Sequence, residues 1–270
     1  MRNKVILITG GAGSIGSELC QQLAEHNKVI ALDQNESGLF DLKGVIPEIA
    51  DIRDQERLEE IFNKHKPEIV FHAAAYKHLS HFEKDHFSEV IKTNIFGTMN
   101  ILRLVNSYKT KFIFVSTDKA VNPTSLMGTT KLIGEIITKR CGGIVVRFGN
   151  VLGSRGSVIP IWQEQISAGK PITITDERME RFFMSIEEAC ALVIKAAEIG
   201  KGGEIFILDM GKPVKIIDLA KKIMKEARSE VPIKITGVKQ GEKLTEELMT
   251  PEEKLRAIKK DKFFIIYDKV

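Results

Sequence analysis

A chain of 270 residues that is 43% apolar and 28% charged can bury one large α/β core, or a domain with a smaller attachment. Its 40 basic and 36 acidic residues are well mixed and leave a net charge of +4. That argues against a nucleic-acid partner, while an anionic small molecule would not be repelled.

Short apolar runs alternate with amphipathic stretches along the chain. "KVILIT", Lys4 to Thr9, reads as a first strand, and Ile15, Leu19 and Leu23 then fall four apart as one helical stripe. "KVIALD" ends a second strand at Asp33 and "PEIAD" a third at Asp51. "DQERLEEIFNKH" reads as a helix, "EIVFHAA" as a fourth strand, residues 87–108 as a long helix and "KFIFVST" as a fifth strand. A helix over about Met127 to Arg140 leads into "GIVVRFG". Strands this uniformly apolar, separated by helices, predict a doubly wound parallel sheet of the Rossmann kind. Later come "ITIT", a helix near Glu187 to Ile199, "EIFILD", "IIDLAKKIMKEA", "PIKITG" and "FFIIY", with loops at "GNVLGSRGSV" and "GVKQGEK". The expected division is a dinucleotide-binding domain of residues 1–150 with about 185–209. A smaller, largely C-terminal substrate-binding lobe would take about 151–184 with 210–270.

"TGGAGSIG" follows the first strand and opens the first helix. Gly10 suits a tight turn, Gly13 lets backbone approach a pyrophosphate, and Gly16 allows close helix–sheet packing. Ser14 and Ile15 belong to the same turn, whose free N–H groups would face phosphates. Asp33 lies within the ~20-residue interval expected for a carboxylate on the adenosine ribose. A 2′-phosphate would face that negative charge, so NAD is favoured over NADP. Asp51 and Ile52 end the third strand, where an adenine edge is expected.

Ligands of open α/β sheets lie beyond the carboxyl ends of the strands. Three polar clusters fall there: "HAAAYKH", "STDK" and "RFGN". Small Ala73, Ala74 and Ala75 would let a cofactor pass, and Lys77 and His78 could reach a substrate, although His72 and His78 are read first as structural. Six histidines with no i,i+4 pair beside a carboxylate give no case for a metal site.

"STDKAVNPTSLMGTTK", Ser116 to Lys131, keeps the spacing of a Ser followed by Tyr-x-x-x-Lys, but Met127 replaces the tyrosine. Methionine cannot take a proton, so a simple alcohol oxidation lacks its usual base. Asp118 and Lys119, adjacent at the end of strand five, supply an acid and a potential base. Burial and neighbouring cations can bring a lysine into the working range for proton abstraction.

These blocks, with "TGGAGSIGSEL", "HAAAYKHL", "TNIFGT", "RFGNVLGSRGSVIP", "RFFMSIEEA" and "GEKLTEEL", resemble the extended short-chain dehydrogenase/reductases. More narrowly they resemble the UDP-N-acetylglucosamine 4,6-dehydratases of polysaccharide and glycan biosynthesis, which commonly carry methionine at this position. The resemblance runs from the first strand to about Glu253, departing from the family pattern at Glu180 and Lys239. It implies an NAD-dependent internal redox cycle on a UDP-sugar, with Lys119 as base, Asp118 as acid and Lys131 holding the nicotinamide ribose. Thr117 or Ser116 would pass the O4 proton. It further implies substrate contacts at Asn150, Ser157, Val158, Arg181, Lys239 and Glu242, a backbone-holding role for Asn94, and self-association. Two other functions remain open: a nucleotide-sugar 4-epimerase, and a non-catalytic NAD-sensing regulator.

Cys20, Cys141 and Cys190 form no CxxC, and no apolar run approaches ~18 residues. A cytoplasmic protein with no membrane partner is the expectation.

Overall fold

The structure is a computed structural model and describes residues 1–77 and 85–267. His78 lies outside the described residues. The strands, in chain order, are β1 (Val5–Thr9), β2 (Lys28–Asp33), β3 (Ile46–Ile49), β4 (Ile69–His72), β5 (Lys111–Val115), β6 (Ile144–Arg147), β7 (Asn150–Val151), β8 (Ile172–Ile174), β9 (Glu180–Arg181), β10 (Phe183–Met184), β11 (Ile205–Leu208), β12 (Val214–Lys215), β13 (Ile233–Ile235), β14 (Ile258–Lys260) and β15 (Phe263–Ile266).

Nine of them form one sheet in the order β14-β15-β11-β6-β5-β4-β1-β2-β3. From β11 to β3 every pairing is parallel. The order reverses between β1 and β4, which opens a crevice beyond their carboxyl ends. This is the doubly wound α/β fold read from the sequence.

The strands are apolar throughout because both faces are covered. Ile6 and Ile8 point into one core with Leu19 and Leu23 of the helix Ser14–Ala24 and Val193 of the helix Ile186–Ile199. Leu7 between them points into the other, with Leu58, Ile61 and Phe62 of the helix Gln55–His65 and Ile101 and Val105 of the helix Thr98–Tyr108.

As the expected division has it, "ITI" stays out of the main sheet; β8 pairs only with β13, in a lobe whose own core holds Trp162, Ile172, Ile174, Met179 and Ile216. One part settles differently: "FFII" is expected in that lobe. Instead β15 pairs antiparallel with β11 and carries β14 on its outer edge. The apolar Phe263 and Ile265 extend the first core, which the lobe could not have covered.

The long stretch 87–108 is helical but not uniform. A six-residue π turn, Lys92–Gly97, sits between the α-helical segments Phe87–Ile91 and Thr98–Tyr108. Such turns re-aim side chains and recur at functional sites.

Candidate functional site

A cavity of about 790 Å³ lies over the carboxyl ends of β1, β4, β5 and β6, with the smaller lobe on its far side. At one end stands the glycine turn, with Gly10, Gly13, Ser14, Ile15 and Gly16 on the wall. Gly10 has φ +70°, and a Cβ there would lie 2.7 Å from the Ala74 nitrogen. A Cβ on Gly16 would come 2.0 Å from the Gly10 carbonyl oxygen. The helix Ser14–Ala24 begins at Gly13 with no side-chain cap and no acid in its first turn. Its amide dipoles therefore point into the cavity with no protein anion to answer them. Ser14 Oγ accepts the Arg155 N–H at 3.1 Å, which draws the loop after β7 across this turn.

Asp33 braces the turn: its Oδ2 accepts the Ala12 N–H at 3.1 Å and its Oδ1 the Asn35 N–H at 3.0 Å. Asp51 is bound by Arg53, accepting its backbone N–H at 2.9 Å and its Nε at 2.8 Å. Burial raises the Asp51 carboxyl, but these hydrogen bonds and the Arg53 charge hold it below its ordinary range. Arg53 also pairs with Glu89. Ile52 is buried against the π turn, where a Cβ on Gly97 would meet its Cδ1 at 2.6 Å.

Of the three alanines, Ala73 and Ala75 line the cavity. Ala74 does not; it packs behind Gly10 and among the second core. Asn94, in the π turn, is buried and holds backbone, as expected. Its Oδ1 accepts the Tyr76 N–H at 2.8 Å, and its Nδ2 donates to the Tyr76 oxygen and to Thr130 Oγ1, each at 3.0 Å. His72 is fully buried between Thr9 Oγ1 and Thr98 Oγ1, and burial pushes its imidazole down to about 3. It is a structural histidine.

The middle of the cavity holds Ser116, Thr117, Lys119, Met127 and Lys131. Ser125 starts the helix Leu126–Arg140 by accepting the Gly128 N–H on its hydroxyl, which places Met127 and Lys131 on one face toward the cavity. Met127 is 6% exposed. The Lys131 ammonium donates to the Val115 carbonyl and sits 3.9 Å over the Phe114 ring. Burial brings it down to about 7, against a smaller upward pull from Glu135.

Asp118 is fully buried and does not reach the cavity wall itself. Its Oδ1 accepts from Thr117 Oγ1 and from Lys119 Nζ, both at 2.9 Å, while its Oδ2 has no partner. Lys119 Nζ also donates to Asn150 Oδ1 at 3.0 Å and lies 3.8 Å from Glu246 Oε1. Ser116 turns the other way. Its hydroxyl donates to Glu135 Oε1 at 2.6 Å, and Glu135 pairs with the buried Arg147, which also binds Glu253. A buried ion chain thus ties the end of β5 to the C-terminal segment.

Lys77 Nζ donates to Ser154 Oγ at 3.4 Å. Burial, then the charges of Arg155 and Lys119, push its amine below its ordinary value. At the far end stand Ser157, Val158, Arg181, Lys239 and Glu242. The Ser157 hydroxyl is buried without a partner at the start of the helix Val158–Ser167. Arg181 is buried: its Nη1 donates to the Glu180 and Leu244 carbonyls, and its Nη2 lies 3.4 Å from Glu242 Oε1. Glu242 Oε2 accepts the Lys239 N–H at 3.2 Å.

The sequence reading missed Glu135, Arg147 and Glu246. Glu246 follows Thr245, which bridges to Glu180, so its neighbours come from distant chain. Among the described residues, no cluster of His, Cys, Asp or Glu could hold a metal ion, and no helix is long and apolar enough to cross a membrane.

The family described as "polysaccharide biosynthesis protein" matches residues 6–268. The capsular polysaccharide biosynthesis protein CapD of Staphylococcus aureus is 42% identical over 277 residues, covering 94% of this chain and 46% of that protein. The chain therefore spans about half the length of that relative. A UDP-N-acetylglucosamine 4,6-dehydratase (inverting) of Campylobacter jejuni is 38% identical, covering 93% of this chain and 78% of its own. A UDP-glucose 4-epimerase of Rickettsia rickettsii is 34% identical, with 94% and 80% covered. Among solved structures, that of Pen from Bacillus thuringiensis superposes with a TM-score of 0.92 at 36% identity, covering 98% of this chain and 88% of that one. A crevice at the switch of a doubly wound sheet and a match along nearly the whole chain lead to one conclusion: this chain belongs to the polysaccharide biosynthesis protein family, on the extended short-chain dehydrogenase/reductase fold.

Proposed function

We propose that this protein removes water across C5 and C6 of a UDP-N-acetylhexosamine, UDP-N-acetylglucosamine first, giving a 4-keto-6-deoxy nucleotide sugar. One observation carries the reading. The position that would hold a tyrosine base is a buried methionine facing the cavity, while an acid–base set of Thr117, Asp118 and Lys119 stands beside it. Oxidation at C4 is common to dehydratase and epimerase, but an epimerase moves no proton at C5 or O6, the two places this set would serve. A mere sensor needs no such acid–base set.

The cavity suits NAD. The uncapped helix start and the glycines with no room for a Cβ fit a pyrophosphate. Asp33 fits the adenosine ribose, with Asp51 and Ile52 near the adenine, and Lys131 the nicotinamide ribose. Arg53, already engaged by Asp51 and Glu89, is a poor partner for a 2′-phosphate, which favours NAD over NADP. When bound, NAD supplies a hydride acceptor at C4 and returns the hydride to C6.

The ketone at C4 acidifies the C5 proton, and Lys119 takes that proton. Its 2.9 Å contact lets the proton pass to Asp118, and the Thr117 hydroxyl, which is the cavity face of the pair, hands it to O6. The C6–O bond breaks, water leaves and C5=C6 forms; once C6 has been reduced, C5 takes back a proton from solvent through Lys119, so the two protons lost from O4 and C5 balance the two gained at O6 and C5. Ser116 donates to Glu135, which leaves Thr117 as the route for the O4 proton. Arg181 and Lys239 would grip the diphosphate, with Ser157 and Val158 at the helix start beside it. Glu242 would meet the nucleoside ribose, and Asn150 and Lys77 the sugar.

Solvent exchange tests this. Turnover in deuterium oxide should leave deuterium at C5 of a product lighter by one water. Recovery of an isomer of the substrate with no solvent deuterium at C5 would instead mark a 4-epimerase.

A further inference from the structure

Glu246 is 5% exposed, and its Oε2 has no hydrogen-bond partner. It comes from the C-terminal segment, more than a hundred residues after the pair it faces. Its Oε1 lies 3.8 Å from Lys119 Nζ, and its Oε2 lies 3.8 Å from Lys243 Nζ. Lys243 is itself anchored by donating to the Val121 carbonyl at 2.6 Å. The neighbouring Glu247 takes a different place, accepting from Asn122 at the surface at 3.0 Å. A carboxylate buried without full hydrogen bonding is unfavourable unless a charge close by compensates it. Three cations are placed to do so, Lys119 and Lys243 at 3.8 Å and Arg181 nearby, and of these Lys119 belongs to the acid–base pair.

We propose that Glu246 is a positioning residue for Lys119: it holds the lysine between two carboxylates and stabilises the ammonium formed when Lys119 accepts a proton. This rests on the reading of Lys119 as the base. The groups facing Glu246 are Lys119 and Asp118 from the turn after β5, Arg181 from β9, and Lys243 from its own segment. Burial, and then Asp118, raise the Glu246 carboxyl, against the pull of Lys119, Arg181 and Lys243. Lys119 in turn faces Asp118, Glu246 and Lys77, and is bonded to Asn150. Two carboxylates around one amine favour the proton staying on the amine. Removing one of them leaves Lys119 with the repulsion of Lys243, Arg181 and Lys77 less opposed. Glu246 thus reaches the acid–base pair of the main sheet from the C-terminal segment.

The test compares wild type with Glu246→Gln and Glu246→Asp in the full chain. Two readouts are used: the pH profile of kcat, and the rate at which acetic anhydride modifies Lys119, followed by peptide mass spectrometry. Acetylation requires the free amine and no substrate. In Glu246→Gln the ammonium loses one of its two neighbouring carboxylates, so Lys119 should acetylate about tenfold faster at a fixed pH. The rising limb of kcat should move to lower pH and its plateau should fall, with KM little changed. Glu246→Asp keeps the charge at longer range and should move both readouts the same way by less, which preserves the test if the Gln variant does not fold. Unchanged Lys119 acetylation in both variants overturns the proposal, whatever the activity, because a packing defect would scale the whole profile without moving its limb. A moved acetylation profile in protein that removes no water from any UDP-N-acetylhexosamine supports the Glu246–Lys119 coupling and overturns the dehydratase reading instead.

Discussion

Lys119 and Asn150, thirty-one residues apart, meet at 3.0 Å between Nζ and Oδ1 just beyond the ends of β5 and β6. With Asp118 at 2.9 Å on the same nitrogen, the contact fixes the lysine at the middle of the cavity wall. The proposed chemistry rests on this placement.

Lys119→Met should lower kcat by about 10²–10⁴-fold while the protein still binds nucleotide sugar, as removal of a positioned base does. Lys119→Arg should not rescue it, because a guanidinium does not give up its proton at working pH. Steady-state kinetics with binding by calorimetry checks both. A Met variant with normal kcat would move the base elsewhere.

Lys131→Met should abolish activity yet leave the cofactor-free protein as stable as wild type, or more so, near pH 7. The folded-state value of Lys131, about 7, lies below the ordinary ~10.4. Between those two values the unfolded chain holds a proton that the folded chain lacks, so stability should rise with pH across that window and level off below it. The variant should lose this slope, which urea unfolding at several pH values would show.

Arg147→Met should destabilise the fold by about 3–5 kcal/mol, because it strands Glu135 in the interior. Glu253 loses its partner at the same time, so the helix Pro251–Arg256 should open first. Urea unfolding gives the first result and amide hydrogen exchange the second.

Gly16→Ala should fold but bind NAD at least about tenfold more weakly. The new methyl carbon would sit 2.0 Å from the Gly10 carbonyl oxygen, so the turn must shift. Titration of NAD into the purified variant reads this directly.

Much of this was legible in the sequence because the determinants are local. The glycine turn needs only a strand before it, a helix after it and Asp33 at the end of the next strand. Met127 and Lys131 share a helical face by spacing alone. What escaped depended on distant partners. "FFII" carries no mark showing that its neighbour is β11, and a π turn inside residues 87–108 leaves the apolar periodicity nearly intact. Glu246 and Glu247 are identical as letters, and only the fold buries one against Lys119 and leaves the other with Asn122. Asp118 was expected in the open site. Its burial behind Thr117 follows from the turn at residues 118–120, which points the carboxylate inward toward Gly149.

The most direct measurement is mass spectrometry of UDP-N-acetylglucosamine incubated with the purified protein and a catalytic amount of NAD. The account predicts a product lighter by one water, with no net consumption of NAD. An unchanged mass, in protein shown to bind both NAD and the nucleotide sugar, would contradict it.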